Sequence, residues 1–422
     1  MHRMIAALLA ALSCAAVAHA QDMTVAIAPA AVLTLDQAVA AAGGGAPAVE
    51  AARADIAAAE AGRTVAGLRP NPTVTTQVDN IVGTGPYGGF RGAETTVEFS
   101  VPIELGGKRS ARIAVADARA TKARLAAALM EAEIRLQVTE LYVNAVAAER
   151  RLTTALDQAR IANEGLNAAH RRVRAGRASP IEEQRADVIR LNAQAAVENA
   201  QRLLDAARLN LGRRIGGAVT GPLDPAALDD LPDSHDPHAV PTVEGTLLLA
   251  AADADLAVAD AGVRLARSQR MPDITVGPGV RRFAETNDSA ALFSVSLPIP
   301  LFNSGRAVLG QAGAERASAE ARRRATALDI GQAVLDARTD AANAAANARI
   351  ANGPALAAAR EAARIARIGY REGKFGQIDL LDAERTLAET RLAAIDALVA
   401  YQTARARLAR LTAPAPAPEQ DN

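Results

Sequence analysis

Two kinds of hydrophobic pattern divide this chain into short strands and long helices. In one segment Phe293, Val295 and Leu297 alternate with serines, and a period of two is typical of a strand with one apolar and one polar face. In another, Val97 and Phe99 alternate with polar residues in the same way. The strands predicted by this pattern form two pairs, 73–80 with 94–103 and 274–283 with 290–299.

The segments between the strand pairs carry helical patterns of unusual length. The chain has no proline from 108 to 175, a stretch that would extend about 100 Å as a helix. In the last helical segment, apolar residues spaced by three and four form two neighbouring seams, which predicts two packing partners for one helix. The seams are Ile378, Leu381, Ala388, Leu392, Ile395 and Val399, and Leu380, Leu387, Ala394, Tyr401 and Leu408. Gly353 and Pro354 predict a kink in the preceding helix.

The second half of the sequence repeats the plan of the first. The residues 99–120 are similar to 293–317, and 172–191 are similar to 369–387. Each half therefore predicts a helix, a strand pair, a long helix, a tight turn and a return helix. The predicted divisions are a signal peptide at 1–20, a first repeat at 21–215, a connector rich in proline and aspartate at 216–242, a second repeat at 243–412 and a disordered tail at 413–422.

Composition excludes one class of function. The chain has 47 basic and 47 acidic residues, so it has no net positive field to attract nucleic acid. Only 2% of its 422 residues are aromatic and it has no tryptophan, a mixture that favours close-packed, alanine-rich helices over a large globular core. We expect no nucleic-acid partner.

The amino terminus predicts export from the cytoplasm. Basic residues precede an apolar run, and Ala18-His19-Ala20 is a cleavage site of the small-x-small type. Cys14, the one cysteine, lies within this signal. Cleavage after Ala20 would remove it, whereas lipidation would make it the new amino terminus; both alternatives stay open.

The strand pairs are the segments suited to a membrane. No later window has about 18 apolar residues in a row, so a membrane role would use strands, and their length suits tilted strands in a bilayer. Aromatic residues concentrate in or beside the strands, as at membrane interfaces, and the predicted lipid-facing set is Val97, Phe99, Phe283, Phe293 and Val295. A small soluble sheet covered by a partner layer is the alternative. Two hairpins cannot close a barrel, so several chains would have to contribute strands.

At this point the sequence resembles the TolC-like outer-membrane efflux family. The shared motifs are LTLDQAV, NPTV, FSVP, LPIPLF and GKFGQIDLLDAERTL, in this order and spread over nearly all of the mature chain. The resemblance implies a mainly α fold with a small β part, in which long helical hairpins form a trimeric periplasmic tunnel. Each chain would contribute four strands to a shared twelve-stranded transmembrane β-barrel.

Two motifs are most similar to the heavy-metal branch of this family, the CzcC-like proteins. They are ELGGKRSARI at 104–113 and LPIPLFNSGRAVLGQA at 297–312, although the turn after LF is shortened. The resemblance implies an outer-membrane location in a Gram-negative bacterium, a periplasmic adaptor protein and an inner-membrane RND transporter as partners, and no cofactor.

The two predicted tight turns are the candidate functional sites. Gly176 and Gly373 would end the long helices, because glycine accepts a positive φ. The resemblance implies that these tips, with Ser179 and Gly376, dock onto the adaptor.

The same resemblance implies a channel aperture beside the tips. Asp379 and Asp382 match the acidic aperture pair of the family, although an ordinary solvated helix face would carry the same pattern. In the first half Glu182 takes the place of Asp379, and Arg185 replaces the second acid. This replacement permits an interhelix Asp–Arg pair that would hold the tips closed.

The sequence offers weak candidates for other chemistry. Asp233, His235, Asp236 and His238 resemble zinc ligands in type, but they lie in the proline-rich connector without further convergent ligands, and we expect no metal site. His170 near a tip is interpreted as a solvated helix residue. No catalytic constellation can be assembled, so we do not expect an enzyme.

Together with the residue patterns, the resemblance implies the outer-membrane channel of a tripartite efflux system that exports heavy-metal cations. A multidrug or type I protein secretion duct of the same family is the nearer alternative. A periplasmic coiled-coil adaptor protein is the alternative from another class, although such a protein would lack hairpins of bilayer length.

Overall fold

The computed structural model of the protein describes residues 32–231 and 243–417. The helices of the first half are α1 (Leu35–Gly45), α2 (Pro47–Ala66), α3 (Lys108–Arg174), α4 (Pro180–Ile215) and the short α5 (Ala226–Asp229), and those of the second half are α6 (Leu247–Ser268), α7 (Arg306–Ile350), α8 (Leu356–Arg371) and α9 (Gln377–Leu411). The strands are β1 (Thr73–Asp79), β2 (Glu94–Ile103), β3 (Ile274–Phe283) and β4 (Ser289–Ser296).

From α2 in the first half and α6 in the second, the two halves have the same order of elements. A helix, an antiparallel strand pair and a long helix are followed by a tight turn and a return helix. In the second half the long helix is interrupted at Ala351–Ala355 by one π-helical turn, where Gly353 has φ −99° and ψ −105°. Pro354 lacks the N–H that a continuous helix requires, which explains the interruption. The predicted kink is confirmed.

The four strands form one antiparallel sheet in the order β1-β2-β3-β4. The central pair, β2 with β3, joins the two halves of the chain. In the described residues β1 and β4 each have a strand on one side only, so both edges of the sheet are free. β4 ends at Ser296, three residues earlier than predicted, because Pro298 and Pro300 have no N–H to continue a ladder.

The two faces of the sheet differ in polarity. Paired residues of an antiparallel sheet point to the same side, and the register therefore assigns each residue to a face. The apolar face carries Val74, Val78, Val97, Phe99, Val280, Phe293 and Val295. The opposite face carries mostly hydroxyl, amide, carboxylate and guanidinium groups.

Phe283 is the exception to the predicted set of lipid-facing residues. It pairs with Glu94, the first residue of β2, and it therefore lies on the polar face. Alternation within β3 gives the same result, because Phe283 lies an odd number of residues from Ile274, Val276 and Val280.

Ion pairs join the sheet to the helices. Arg112 of α3 forms a bidentate pair with Glu104, just beyond β2. The hydrogen bond from Arg112 holds the pKa of Glu104 below its usual value. Lys108 Nζ lies 2.7 Å from Asp273 Oδ1, which also accepts the N–H of Leu105 at 3.1 Å. These contacts fix where the first long helix begins relative to the second half of the sheet.

The core lies around the middle of α3 and is organised by Tyr142. Its side chain is fully buried, and its hydroxyl donates to the Leu33 carbonyl at 2.6 Å and accepts from the Asp224 N–H at 2.8 Å. Leu33 also forms a parallel bridge with Leu223. One phenol therefore joins the start of the described chain, the long helix and the segment after α4.

The two seams of α9 differ in burial. Leu387, Ala394 and Tyr401 of one seam are buried against α3, α7 and α8, whereas Ile378 and Leu392 of the other remain exposed. Large apolar side chains are exposed on the neighbouring long helices as well, at Ile181, Val188, Leu191, Leu203 and Leu209 of α4 and at Leu328 and Leu335 of α7. A single chain thus leaves apolar helix faces without a partner.

The carboxyl-terminal segment is ordered further than the sequence predicts. Ala413 accepts the Leu247 N–H at 2.8 Å, and Ala415 donates to the Gly245 carbonyl at 2.9 Å. The prediction of a disordered tail from residue 413 is therefore wrong for its first residues, and 418–422 lie outside the described residues. Within the described parts of the chain, no helix has the length and apolarity needed to cross a membrane.

Replacing Tyr142 with Phe should destabilise the protein by about 1 kcal/mol, because the Leu33 carbonyl and the Asp224 N–H lose the phenol hydroxyl as a partner and retain their bond to each other, at 3.1 Å. Burial raises the pKa of Tyr142 to about 12. The neutral phenol therefore contributes fully below about pH 10, and this contribution is lost as the pH rises to about 12. Thermal unfolding followed by circular dichroism measures both effects.

The matched control is Tyr87→Phe, since Tyr87 is an exposed residue of the loop between β1 and β2. It should leave the melting temperature unchanged. Equal melting temperatures for Tyr142→Phe and the wild-type protein would contradict the role of Tyr142 in the core.

Candidate functional site at the helix tips

The two tight turns, called here the first tip (residues 172–182) and the second tip (residues 369–379), share one backbone design. In the first tip, Arg177 N–H donates to the Arg172 carbonyl at 2.9 Å and Gly176 N–H donates to the Val173 carbonyl at 3.0 Å. This pair of bonds is the Schellman motif of a helix carboxyl end. Gly176 has φ +68°, which explains why glycine is used here.

The second tip repeats this arrangement at the end of α8. Lys374 N–H donates to the Gly369 carbonyl at 2.8 Å, and Gly373, at φ +73°, donates to the Tyr370 carbonyl at 3.1 Å. Gly369 has a separate role, since a Cβ at this position would overlap the ring of Phe375. The absence of a side chain at Gly369 therefore lets Phe375 fold back against the end of α8.

The return helices begin with different caps. Ser179 Oγ accepts from the Ile181 N–H at 3.5 Å, and Pro180 occupies the first turn of α4. In the second tip, Asp379 Oδ2 accepts from the Gly376 N–H at 2.9 Å. A carboxylate in the first turn also interacts favourably with the helix dipole. Asp379 therefore stabilises the start of α9 in addition to any role in the aperture.

Arg172 connects the two tips. Its Nη1 donates to Tyr370 Oη at 3.3 Å, and its guanidinium carbon lies 5.8 Å from the centre of the Tyr370 ring. The hydrogen bond that Arg172 donates to Tyr370 raises the pKa of Arg172. A cavity of about 570 Å³ opens beside this contact, with Arg171, Arg177 and Arg371 in its lining. The lining of this cavity is thus strongly basic.

The predicted aperture residues occupy the return helices just beyond the tips. Asp379 and Asp382 lie three residues apart on α9 and are both exposed. Glu182 is half-buried, and its Oε2 is a buried atom with no hydrogen-bonding partner in the described chain. Arg185 is exposed and forms no ion pair with another described residue. The predicted Asp–Arg pair is therefore absent within one chain and could form only between chains.

Sequence reasoning missed an ion pair between a buried carboxylate and a half-exposed guanidinium, two turns from the second tip. Glu384 of α9 is 3% exposed, and both of its oxygens bond to Arg367 of α8. The hydrogen bond with Glu384 raises the pKa of Arg367. Removing one partner from such a pair leaves an uncompensated buried charge. No sequence pattern singles it out, because acidic and basic residues also alternate along the solvated faces of these helices.

The metal-ligand candidates are not assembled in the described structure. Asp233, His235, Asp236 and His238 lie outside the described residues, and within the described ones no three potential ligands converge. His170 has a partner, since its Nδ1 lies 2.7 Å from Glu183 Oε1. This contact therefore joins α3 to α4 close to the first tip.

Replacing Gly369 with Ala should displace Phe375 and loosen the second tip. We expect faster tryptic cleavage after Arg371 and Lys374 than in the wild-type protein, because a displaced turn opens locally more often. Limited proteolysis with mass spectrometry of the fragments measures this.

Gly165→Ala is the matched control, since Gly165 lies inside α3 and a Cβ there meets no other group. Its cleavage rate should equal that of the wild-type protein. The same rate in Gly369→Ala would show that the Phe375 contact does not hold the tip.

Two comparisons relate this architecture to known sequences. The family model described as outer membrane efflux protein matches residues 38–217 and 244–413. The cobalt-zinc-cadmium resistance protein CzcC of Cupriavidus metallidurans is 33% identical over 362 residues, which cover 85% of each sequence. The nickel-cobalt-cadmium resistance protein NccC of Alcaligenes xylosoxydans xylosoxydans is 28% identical over 280 residues, 65% of this chain and 62% of the relative.

The fold has a close counterpart among solved structures. A crystal structure of CusC, a protein that forms a transmembrane channel, matches with a TM-score of 0.74 at 17% identity, over 90% of this chain and 91% of that one. The resemblance noted in the sequence is thereby confirmed, together with the mainly helical fold and its four antiparallel strands. The chain belongs to the outer membrane efflux protein family.

Proposed function

We propose that three copies of this chain form the outer-membrane channel of a tripartite efflux system. The observation that carries the proposal is the four-stranded sheet with an apolar face and two free edges. Free edges are not tolerated in lipid, because each unpaired backbone group there costs several kcal/mol. Pairing β1 of one copy with β4 of the next removes every edge and closes a twelve-stranded barrel.

The helices support the same assembly. Their exposed apolar faces need partners, and neighbouring copies would cover them while enclosing a tunnel. The 67-residue helix α3 extends about 100 Å at about 1.5 Å per residue. Anchored by the sheet in the outer membrane, such helices would reach far into the periplasm.

The cargo we propose is heavy-metal cations. This assignment rests on the relatives, whose names describe resistance to cobalt, zinc, cadmium and nickel. The channel has no energy source of its own in this account. An inner-membrane RND transporter would drive export, and a periplasmic adaptor protein would connect it to the tips.

We assign the tips two roles in this system. Gly176, Ser179, Gly373 and Gly376 shape the turns onto which the adaptor docks. Asp379 and Asp382 would line the aperture, where acidic groups favour cations. Because Asp379 also caps α9, opening of the aperture must preserve the first turn of that helix.

Deleting the gene should sensitise the host to zinc, cobalt, cadmium or copper, since export would then end in the periplasm. Growth across graded concentrations of each metal, beside a panel of drugs and detergents, tests the cargo. The intact gene should restore tolerance. Sensitivity to drugs with normal metal tolerance would retain the channel and contradict the metal assignment.

Replacing Arg185 with Ala should raise the conductance of the purified channel, because the proposed pair between Arg185 and an aperture carboxylate of a neighbouring copy would be lost. Single-channel recording in planar bilayers measures this.

Arg202→Ala provides a matched control. Arg202 is an exposed arginine of the same helix, about 25 Å farther from the tip. The control should conduct as the wild-type channel does. An unchanged conductance in Arg185→Ala would exclude the pair as a closing contact.

A further inference from the structure

The polar face of the sheet carries one carboxylate whose surroundings differ from those of its neighbours. Glu98 lies at the middle of β2, opposite Thr75 of β1 and Gly279 of β3. This face is the more crowded side of the sheet, since Thr96 is 8% exposed whereas Val97 on the other face is 46% exposed. In a closed barrel the crowded side is the inner wall.

Two hydroxyl groups hold Glu98 by the same oxygen. Ser100 Oγ donates to Glu98 Oε1 at 3.0 Å, and Ser294 Oγ of β4 donates to it as well. Oε2 receives no hydrogen bond from the described residues. One oxygen is therefore fixed, and the other is left for a ligand or for water.

Gly277 of β3 leaves the space that the Glu98 carboxylate occupies. Gly277 pairs with Ser294, and a Cβ at position 277 would lie 3.0 Å from Glu98 Cδ and 2.8 Å from Ser294 Oγ. Gly279, opposite Glu98, likewise has no side chain to cover it. Glycine weakens a strand interior, and at position 277 its use is explained by the space that this carboxylate needs, whereas a Cβ at position 279 would meet the Val97 carbonyl oxygen.

The charge of Glu98 is not neutralised by any side chain in the described parts of the chain. Glu94, four residues earlier on the same face, is paired with Arg281, whose Nη1 lies 3.0 Å from Glu94 Oε2. Arg281 is held a second time by Thr96 Oγ1, at 3.0 Å from its Nε. Among the described residues no cationic side chain forms an ion pair with Glu98. Glu98 thus adds one net negative charge per copy to this face.

We infer that Glu98 is a cation-binding residue on the inner wall of the barrel and helps to set the cation selectivity of the channel. This inference rests on the proposed function, because it requires the closed barrel. A carboxylate oxygen beside hydroxyl groups suits hydrated cations. A single carboxylate per copy binds them weakly, as conduction requires. Cations that pass through the channel would therefore encounter a second acidic site in the barrel, separate from the aperture at the tips.

Reversal potentials across a gradient of potassium chloride test this in planar bilayers. Glu98→Gln should lower the ratio of potassium to chloride permeability by about two- to fivefold, the effect expected for one unit charge close to the permeating ion in water. Measuring the same substitution in a channel that also carries Asp379→Asn and Asp382→Asn separates the barrel from the aperture. A similar reduction in both backgrounds is expected.

Two further variants make the interpretation specific. Glu98→Asp retains the charge and should recover most of the cation preference. Glu285→Gln removes one carboxylate from the turn after β3, beyond the sheet, and should change the ratio less than Glu98→Gln. A conducting wild-type channel with an unchanged ratio in Glu98→Gln would overturn the inference alone. A purified protein that forms no channel would overturn the proposed function.

Discussion

The free edges of the sheet are the constraint on which the whole arrangement depends. β1 and β4 each expose a row of backbone N–H and C=O groups, while the apolar face of the same sheet presents Val97, Phe99 and Phe293 to its surroundings. An apolar face suits lipid, but an open edge does not. The four strands of a single chain leave both edges unpaired, so one chain alone cannot satisfy both requirements. The proposed association of identical copies would satisfy both by joining the edges and enclosing the polar face.

The same association would also cover the exposed apolar faces of the helices. Alanine is abundant along α3, α7 and α9 and lets helix axes approach closely, but each small side chain buries little apolar area. The chain therefore depends on length, on a few large buried groups such as Tyr142, and on apolar seams that remain exposed in one copy. Barrel and tunnel would be stabilised together, because every neighbour that closes the sheet also covers a seam.

Much of this fold follows from local patterns in the sequence. Period-two alternation located the strands, the absence of proline from 108 to 175 predicted the long helix, and Gly176 and Gly373 marked the turns. These features are set by residues close together in the chain. Family resemblance then added the expectation of a channel, which no local pattern supplies.

The remaining features depend on contacts between distant segments. The environment of Glu98 is decided by Gly277 and Ser294 from the other half of the chain. The Arg367–Glu384 pair and the fold of Phe375 against Gly369 need the hairpin of α8 and α9 to be in place. Such partners share no motif, so sequence alone does not connect them.

The mass of the detergent-purified protein tests the central claim most directly. Native mass spectrometry or light scattering should find three chains per particle, since three four-stranded sheets close the barrel. A stable particle with a single chain would leave both sheet edges free and contradict the account.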